Sequence, residues 1–133
     1  MASLGRSAEV TQQSGIWDVI REKLLLAARA HGLQAIDGPY LSLHPDSLFE
    51  ACSRRVAAQG FDGKWAVHPD QIAPLNRIFT PSSAEVERAR AVLDALGDAN
   101  AGAVALTGEM IDEASRSWAM RVIIRARAVE PQR

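Results

Sequence analysis

The sequence has little of what builds covalent cross-links or membrane spans. Cys52 is its single cysteine among 133 residues, which excludes an intramolecular disulfide and a zinc site built from cysteines. The longest apolar run, at residues 24–28, falls far short of the roughly 18 residues of a membrane span. No charge of one sign dominates, because 15 basic and 16 acidic side chains give a formal net charge of −1. We therefore expect a cytoplasmic globular protein without nucleic-acid or membrane partners.

The length of the chain limits the fold. A total of 133 residues suits one ordinary domain. It is too short for a closed eight-stranded α/β barrel, which needs roughly 200 residues.

Hydrophobic periodicity predicts alternating helices and short strands after a disordered lead-in at residues 1–15. Buried parallel strands are expected at 33–36 and 64–68, followed by a hairpin around Thr107 and Gly108. The helix after Phe79 begins either at Thr80, with Pro81 in its first turn, or at Ser82, with Glu85 completing a capping box. Five helices are expected, at 16–31, about 45–60, 72–79, about 82–97 and 113 to about 127.

Two predicted strand ends carry candidate functional residues. Asp37 is expected where the first strand meets its loop, a usual position for ligand-binding groups in α/β folds. An Asp turn that binds its own backbone is the structural alternative. His68 is expected at the end of the second strand, as an acid or base or as a hydrogen-bonded structural group. Lys64, on the same strand face, is interpreted as a side chain whose ammonium reaches solvent.

The remaining polar residues form no recognisable catalytic or metal-binding motif. Asp112 directly precedes the last helix, where an Asp N-cap is expected from backbone chemistry alone. His31, His44 and His68 are scattered along the sequence, so we assign no metal ligand.

Four segments, in order, resemble the citrate lyase β-subunit/malyl-CoA lyase family of CoA-ester lyases, within the HpcH/HpaI aldolase superfamily. The longest is GFDGKWAVHPDQI at residues 60–72. The others are AIDGPY at 35–40, FTPS at 79–82 and GAVALTGEMID at 102–112. Within the longest segment, KWAVHP is most similar to the malyl-CoA lyase branch of the family.

This resemblance implies an α/β fold that is the C-terminal portion of a TIM (β/α)8 barrel. Residues 16–79 would be the last two β/α units, and residues 80–133 a C-terminal lid and oligomerisation extension. Family members are usually trimers or hexamers that use Mg²⁺ to cleave a carbon–carbon bond beside a CoA thioester. The family's Mg²⁺ carboxylates would lie on earlier strands, outside these 133 residues.

The resemblance also implies roles for single residues. Asp112 would be the acid/base group, delivered in trans to a neighbouring subunit's active site. Asp37, Gly38 and Pro39 would form part of the CoA-binding wall, with His68 facing the same rim.

Three hypotheses about function follow. The first is a C-terminal part of a Mg²⁺-dependent lyase acting on malyl-CoA, citramalyl-CoA or citryl-CoA, and inactive alone, so that whether the chain itself is an enzyme stays open. The second is a non-catalytic truncated paralogue that docks on full-length lyase subunits. The third is a free-standing small α/β binding domain, which must cover the flanks of its two strands in another way.

Overall fold

A computed structural model describes residues 15–97 and 102–129, so the predicted lead-in at 1–15 lies, except for Gly15, outside the described residues. The chain divides into two compact units, one ending at Phe79 and one beginning at Thr80. The helices are α1 (Gly15–Ala30), α2 (Ser47–Gln59), α3 (Ile72–Phe79), α4 (Ser83–Leu96) and α5 (Glu113–Val129). The strands are β1 (Ile36–Asp37), β2 (Gly63–Lys64), β3 (Val104–Leu106) and β4 (Glu109–Ile111).

The first unit contains a parallel pair of very short strands. Ile36 of β1 lies opposite Gly63 of β2, and Asp37 lies opposite Lys64. The predicted strands at 33–36 and 64–68 are therefore wrong in extent. Leu33 is 61% exposed, so its segment is not a buried strand. The reason is that parallel strands extend when neighbours cover both edges, and β1 and β2 pair only with each other in the described residues.

The first unit contains two small apolar clusters. One contains Ala35, Val56 and Phe61, and the other contains Tyr40, Phe49 and Leu75, whereas Phe79 packs against both clusters. The carboxylate of Asp46 caps α2 by accepting the Phe49 amide hydrogen at 2.7 Å. Pro45, where the sequence predicts that this helix begins, therefore precedes the cap.

A buried ionic cluster joins α1 to both strands. Asp37 accepts a hydrogen bond from Nε of Arg21 at 3.0 Å on one carboxylate oxygen. Its other oxygen accepts a hydrogen bond from Nζ of Lys64 at 2.5 Å. No more than 9% of any of these three side chains is exposed. We refer to Arg21, Asp37 and Lys64 below as the Asp37 cluster.

The second unit is a hairpin that packs with two helices. β3 and β4 are antiparallel, and Thr107 and Gly108, with φ of 49° and 86°, form the tight turn that the sequence predicts. The core lies mainly between α4 and α5 and includes Ala89, Val92 and Val122. Of the two predicted starts of α4, the structure has Ser82 as the N-cap, in a capping box with Glu85.

Tyr40 gives a direct test of the packing in the first unit, because it is the chain's only tyrosine. Burial raises the pKa of its phenol to about 12, with a smaller contribution from the hydrogen bond to Asp46. The phenol is therefore neutral in the folded state, and its stabilising contribution is lost as pH rises from 10 towards 12. Absorbance titration at 295 nm should give a midpoint near 12 for the folded chain and near 10 in denaturant. Circular dichroism at each pH is the control, and a folded-state midpoint near 10 would contradict the burial.

From the Asp37 cluster we predict that replacing two different acidic residues by alanine lowers the free energy of unfolding by very different amounts. Asp37→Ala leaves the charges of Arg21 and Lys64 buried without their partner, which costs about 3–5 kcal/mol of unfolding free energy. Glu22→Ala, at an exposed position of α1, should change it by less than about 0.5 kcal/mol. Urea unfolding followed by circular dichroism measures both variants. Equal stability of the two would show that the ion pairs are unimportant.

Candidate functional site

Asp37 lies at the carboxyl end of β1, but its carboxylate faces the interior. Only 6% of its side chain is exposed, and both oxygens accept hydrogen bonds from cationic side chains. The Asp-turn alternative is wrong, because the residue two positions further on is Pro39, which has no N–H to donate. The carboxylate therefore positions other groups and is not presented to solvent.

Lys64 links this carboxylate to the loop that follows β1. Its ammonium donates to the carbonyl of Gly38 at 2.8 Å as well as to Asp37. The prediction that the Lys64 ammonium reaches solvent is therefore wrong, because only 4% of this side chain is exposed. Gly38 has open space where a Cβ would be, and Gly38 and Pro39 are both half-buried. Lys64 thus holds the loop backbone, which has open space beside Gly38.

His68 lies four residues beyond the end of β2, so its predicted place at the strand end is wrong. It caps the short 3-10 helix Pro69–Gln71, and its Nδ1 accepts the Asp70 amide hydrogen at 3.3 Å. The proline that follows keeps the backbone of His68 extended, as expected. About a third of the side chain is exposed.

Gln71 holds the loops around His68 together and was not identified from the sequence. Its side chain is fully buried. The amide oxygen accepts from the Val67 N–H at 2.9 Å, and the amide nitrogen donates to the carbonyls of Tyr40 and Ser42 at 3.2 and 2.6 Å. One buried amide thus joins the loop after β1 to the loop after β2.

A cluster of three side chains forms where these loops meet. Nδ1 of His44 lies 3.2 Å from an oxygen of Asp70, and Nδ1 of His68 lies 3.5 Å from the same oxygen. The two imidazole rings meet edge to face, with centroids 5.5 Å apart. We call these three residues the His–His–Asp cluster. A separation of 24 residues between the histidines gives no sequence signal for it.

Asp112 lies in the second unit at the start of α5. One carboxylate oxygen accepts the Ser115 amide hydrogen at 3.1 Å, which confirms the predicted N-cap. The Ser115 hydroxyl contacts the same oxygen and the Asp112 amide nitrogen, both at 3.3 Å. Asp112 is half-buried between the buried Ile111 and the exposed Glu113. A carboxylate held in this way is oriented and still accessible.

The described residues do not fit the Mg²⁺ ion that the resemblance implies. Mg²⁺ takes oxygen ligands, mostly carboxylates and waters. Within residues 15–97 and 102–129, the His–His–Asp cluster is the one group of three or more potential ligands, and two of its three members are imidazoles. Asp37 and Asp62, the well-buried carboxylates of the first unit, are bound by Arg and Lys side chains.

None of the described helices combines the length and the apolar character needed to cross a bilayer.

Comparisons with known proteins identify relatives among CoA-ester lyases. The C-C_Bond_Lyase family, of the TIM-barrel fold, matches residues 16–129. The L-malyl-CoA/beta-methylmalyl-CoA lyase of Cereibacter sphaeroides is 40% identical over 112 residues, which cover 82% of this chain and 35% of that protein. The mitochondrial citramalyl-CoA lyase of Mus musculus is 31% identical over 132 residues, which cover 97% and 38%.

Structural comparison gives the same result. The chain is similar to the CitE protein of Mycobacterium tuberculosis, solved in complex with magnesium, acetoacetate and coenzyme A. The TM-score is 0.66 at 32% identity, over 94% of this chain and 48% of that one. The chain thus spans little more than a third of the length of the curated relatives that it matches. With 114 consecutive residues inside the family match, the chain belongs to the C-C_Bond_Lyase family of the TIM-barrel fold.

Proposed function

We propose that the chain is the C-terminal part of a Mg²⁺-dependent CoA-ester carbon–carbon lyase of the malyl-CoA, citramalyl-CoA or citryl-CoA type. On this proposal, the chain alone is inactive. The observation that carries it is similarity to such lyases over 82–97% of this chain but only 35–38% of theirs. Among the described residues, no group of three or more potential ligands consists of carboxylates, which agrees with Mg²⁺ ligands supplied by another part of the protein.

The exposed apolar side chains of the first unit support the same proposal. Ile36 is 46% exposed, Trp65 is 65% exposed and Val67 is 44% exposed. Strands of a parallel barrel are normally covered on both faces and paired at both edges. On our proposal, residues 15–79 are the last two β/α units, and these side chains pack against barrel strands that the chain does not contain.

The loop after β1 would supply part of the CoA-binding wall. Gly38 and Pro39 offer their backbone and the open space beside it. Asp37 would act through Lys64, whose ammonium binds both the carboxylate and the Gly38 carbonyl. His68 would contribute its ring, of which about a third is exposed, from the neighbouring loop.

Asp112 would be the acid/base group, delivered in trans by the second unit acting as a lid in a homo-oligomer. In a 3-hydroxyacyl thioester, loss of the hydroxyl proton to a base and cleavage of the adjacent carbon–carbon bond release a carbonyl compound and leave a thioester enolate. The enolate becomes the acyl-CoA product by taking a proton on carbon. The carboxyl of Asp112 suits this transfer, because Ser115 fixes one oxygen while the group stays accessible.

The first prediction concerns catalytic incompleteness. The purified chain with Mg²⁺ and malyl-CoA or citramalyl-CoA should give no turnover in an assay of free carbonyl product. A chimaera in which residues 16–129 replace the matching segment of the Cereibacter sphaeroides lyase should cleave its substrate. Robust turnover by the isolated chain would contradict the proposal.

The second prediction tests Asp112 in that chimaera. Asp112→Asn keeps a good N-cap but removes the ionisable proton, so kcat should fall about 100-fold or more with little change in KM. Glu113→Gln, on the next, exposed residue, is the matched control and should retain activity. A purely structural cap predicts that the Asn variant is as active as the control.

A second candidate function is a non-catalytic truncated paralogue that docks on full-length lyase subunits. The exposed apolar side chains at Ile36, Trp65 and Val67 favour it too, because a partner subunit would cover them. Light scattering and pull-down with a full-length relative separate the candidates. Docking predicts a defined mixed assembly, whereas the first proposal predicts none.

A further inference from the structure

The His–His–Asp cluster of the first unit has the chemistry of a transition-metal site. We propose that His44, His68 and Asp70 bind one divalent ion of the zinc class, with water completing the coordination. The potential ligand atoms of the three residues lie within 4.8 Å of one another. This proposal shares His68 with the proposed CoA-binding rim, but it does not rest on the lyase function, because its donor set differs from the oxygen ligands of Mg²⁺.

The distances suit a tetrahedral ion. Metal–ligand distances of about 2.0–2.1 Å place neighbouring tetrahedral ligands about 3.3 Å apart. The His44 nitrogen lies 3.2 Å from the Asp70 oxygen, and the His68 nitrogen lies 3.5 Å from it. The ligand atoms of the two histidines lie within 4.8 Å of each other, so any shortening that this contact needs is small. His44, with 79% of its side chain exposed, can rotate to shorten it.

Hydrogen bonding fixes the tautomer of His68. Its Nδ1 accepts the Asp70 amide hydrogen at 3.3 Å, so this nitrogen carries no proton and its one lone pair points towards Asp70; a bound ion would replace this long hydrogen bond. Nδ1 of His44 pairs with the Asp70 carboxylate at 3.2 Å. A bound cation would take the place of the proton between these two atoms.

Buried contacts hold the two loops that carry the ligands. Gln71, next to Asp70, binds Val67 on one loop and Ser42 on the other. The Ser42 hydroxyl also donates to the His44 carbonyl at 3.3 Å. The backbone that carries the ligands therefore needs little ordering when an ion binds, which lowers the cost of binding.

The donor set selects the class of metal. Two imidazoles and one carboxylate suit Zn²⁺, Cu²⁺, Ni²⁺ or Co²⁺, whereas Mg²⁺ and Ca²⁺ take oxygen ligands. Side-chain exposures of 79%, 32% and 52% leave the ion open to water and to exchange. We therefore expect reversible binding of one ion per chain.

The test uses the untagged full chain and Zn²⁺ in competition with a chromophoric chelator. We expect one equivalent to bind, with no displacement by a tenfold excess of Mg²⁺. His44→Gln, at a largely exposed position that should not disturb folding, should weaken binding at least tenfold, and so should Asp70→Asn. His31→Gln, at the exposed end of α1, is the matched control and should bind as the unchanged chain does.

Cobalt spectroscopy gives a second readout. Co²⁺ bound through two imidazoles and one carboxylate should show a ligand-field absorption band in the visible range. His68→Gln should weaken this band. Circular dichroism of each variant shows whether it is folded. The absence of binding, or an equal loss in the His31 and His44 variants, would overturn the proposal.

Discussion

The carboxylate of Asp37, buried between the guanidinium of Arg21 and the ammonium of Lys64, is the interaction on which most of the first unit depends. It joins α1 to β1 and β2, which share only a two-residue parallel ladder. Through Lys64 it also fixes the carbonyl of Gly38. A buried ion pair is weak evidence for net stability, and Lys64 binds both Asp37 and the Gly38 carbonyl, so we interpret the Asp37 cluster as a positioning device for the loop after β1.

The helices were largely predictable from the sequence, because their signals are local. Apolar spacing, the Ser82–Glu85 capping box and the Thr107–Gly108 turn each act within a few residues. Strand length was not predictable in the same way, since pairing depends on neighbours far along the chain. His68 was misplaced for this reason: an apolar stretch before a proline resembles a strand whether or not a partner strand lies beside it.

In the candidate site, too, local features were predictable from the sequence and contacts between distant residues were not. The cap at Asp112 follows from its position before α5 and is confirmed. Its acid/base role stays a prediction, because capping and catalysis need the same oriented carboxylate. Gln71 and the His–His–Asp cluster gave no sequence signal, since they depend on contacts between two loops about 25 residues apart. The resemblance to the lyase family includes residues 60–72, but it assigned no role to Gln71.

The exposed apolar side chains explain why both proposed functions require further protein to cover the first unit. The two apolar clusters of the first unit are small, whereas Ile36, Trp65 and Val67 remain exposed on and after its two strands. Covering such side chains releases about 25 cal/mol for each Å² of apolar surface buried, so association is favourable whichever protein supplies the cover. The two functions differ in what that cover contains. If it carries the carboxylates that hold Mg²⁺, the loop after β1 faces a complete active site; if it is already a whole barrel, the same loop is only an interface.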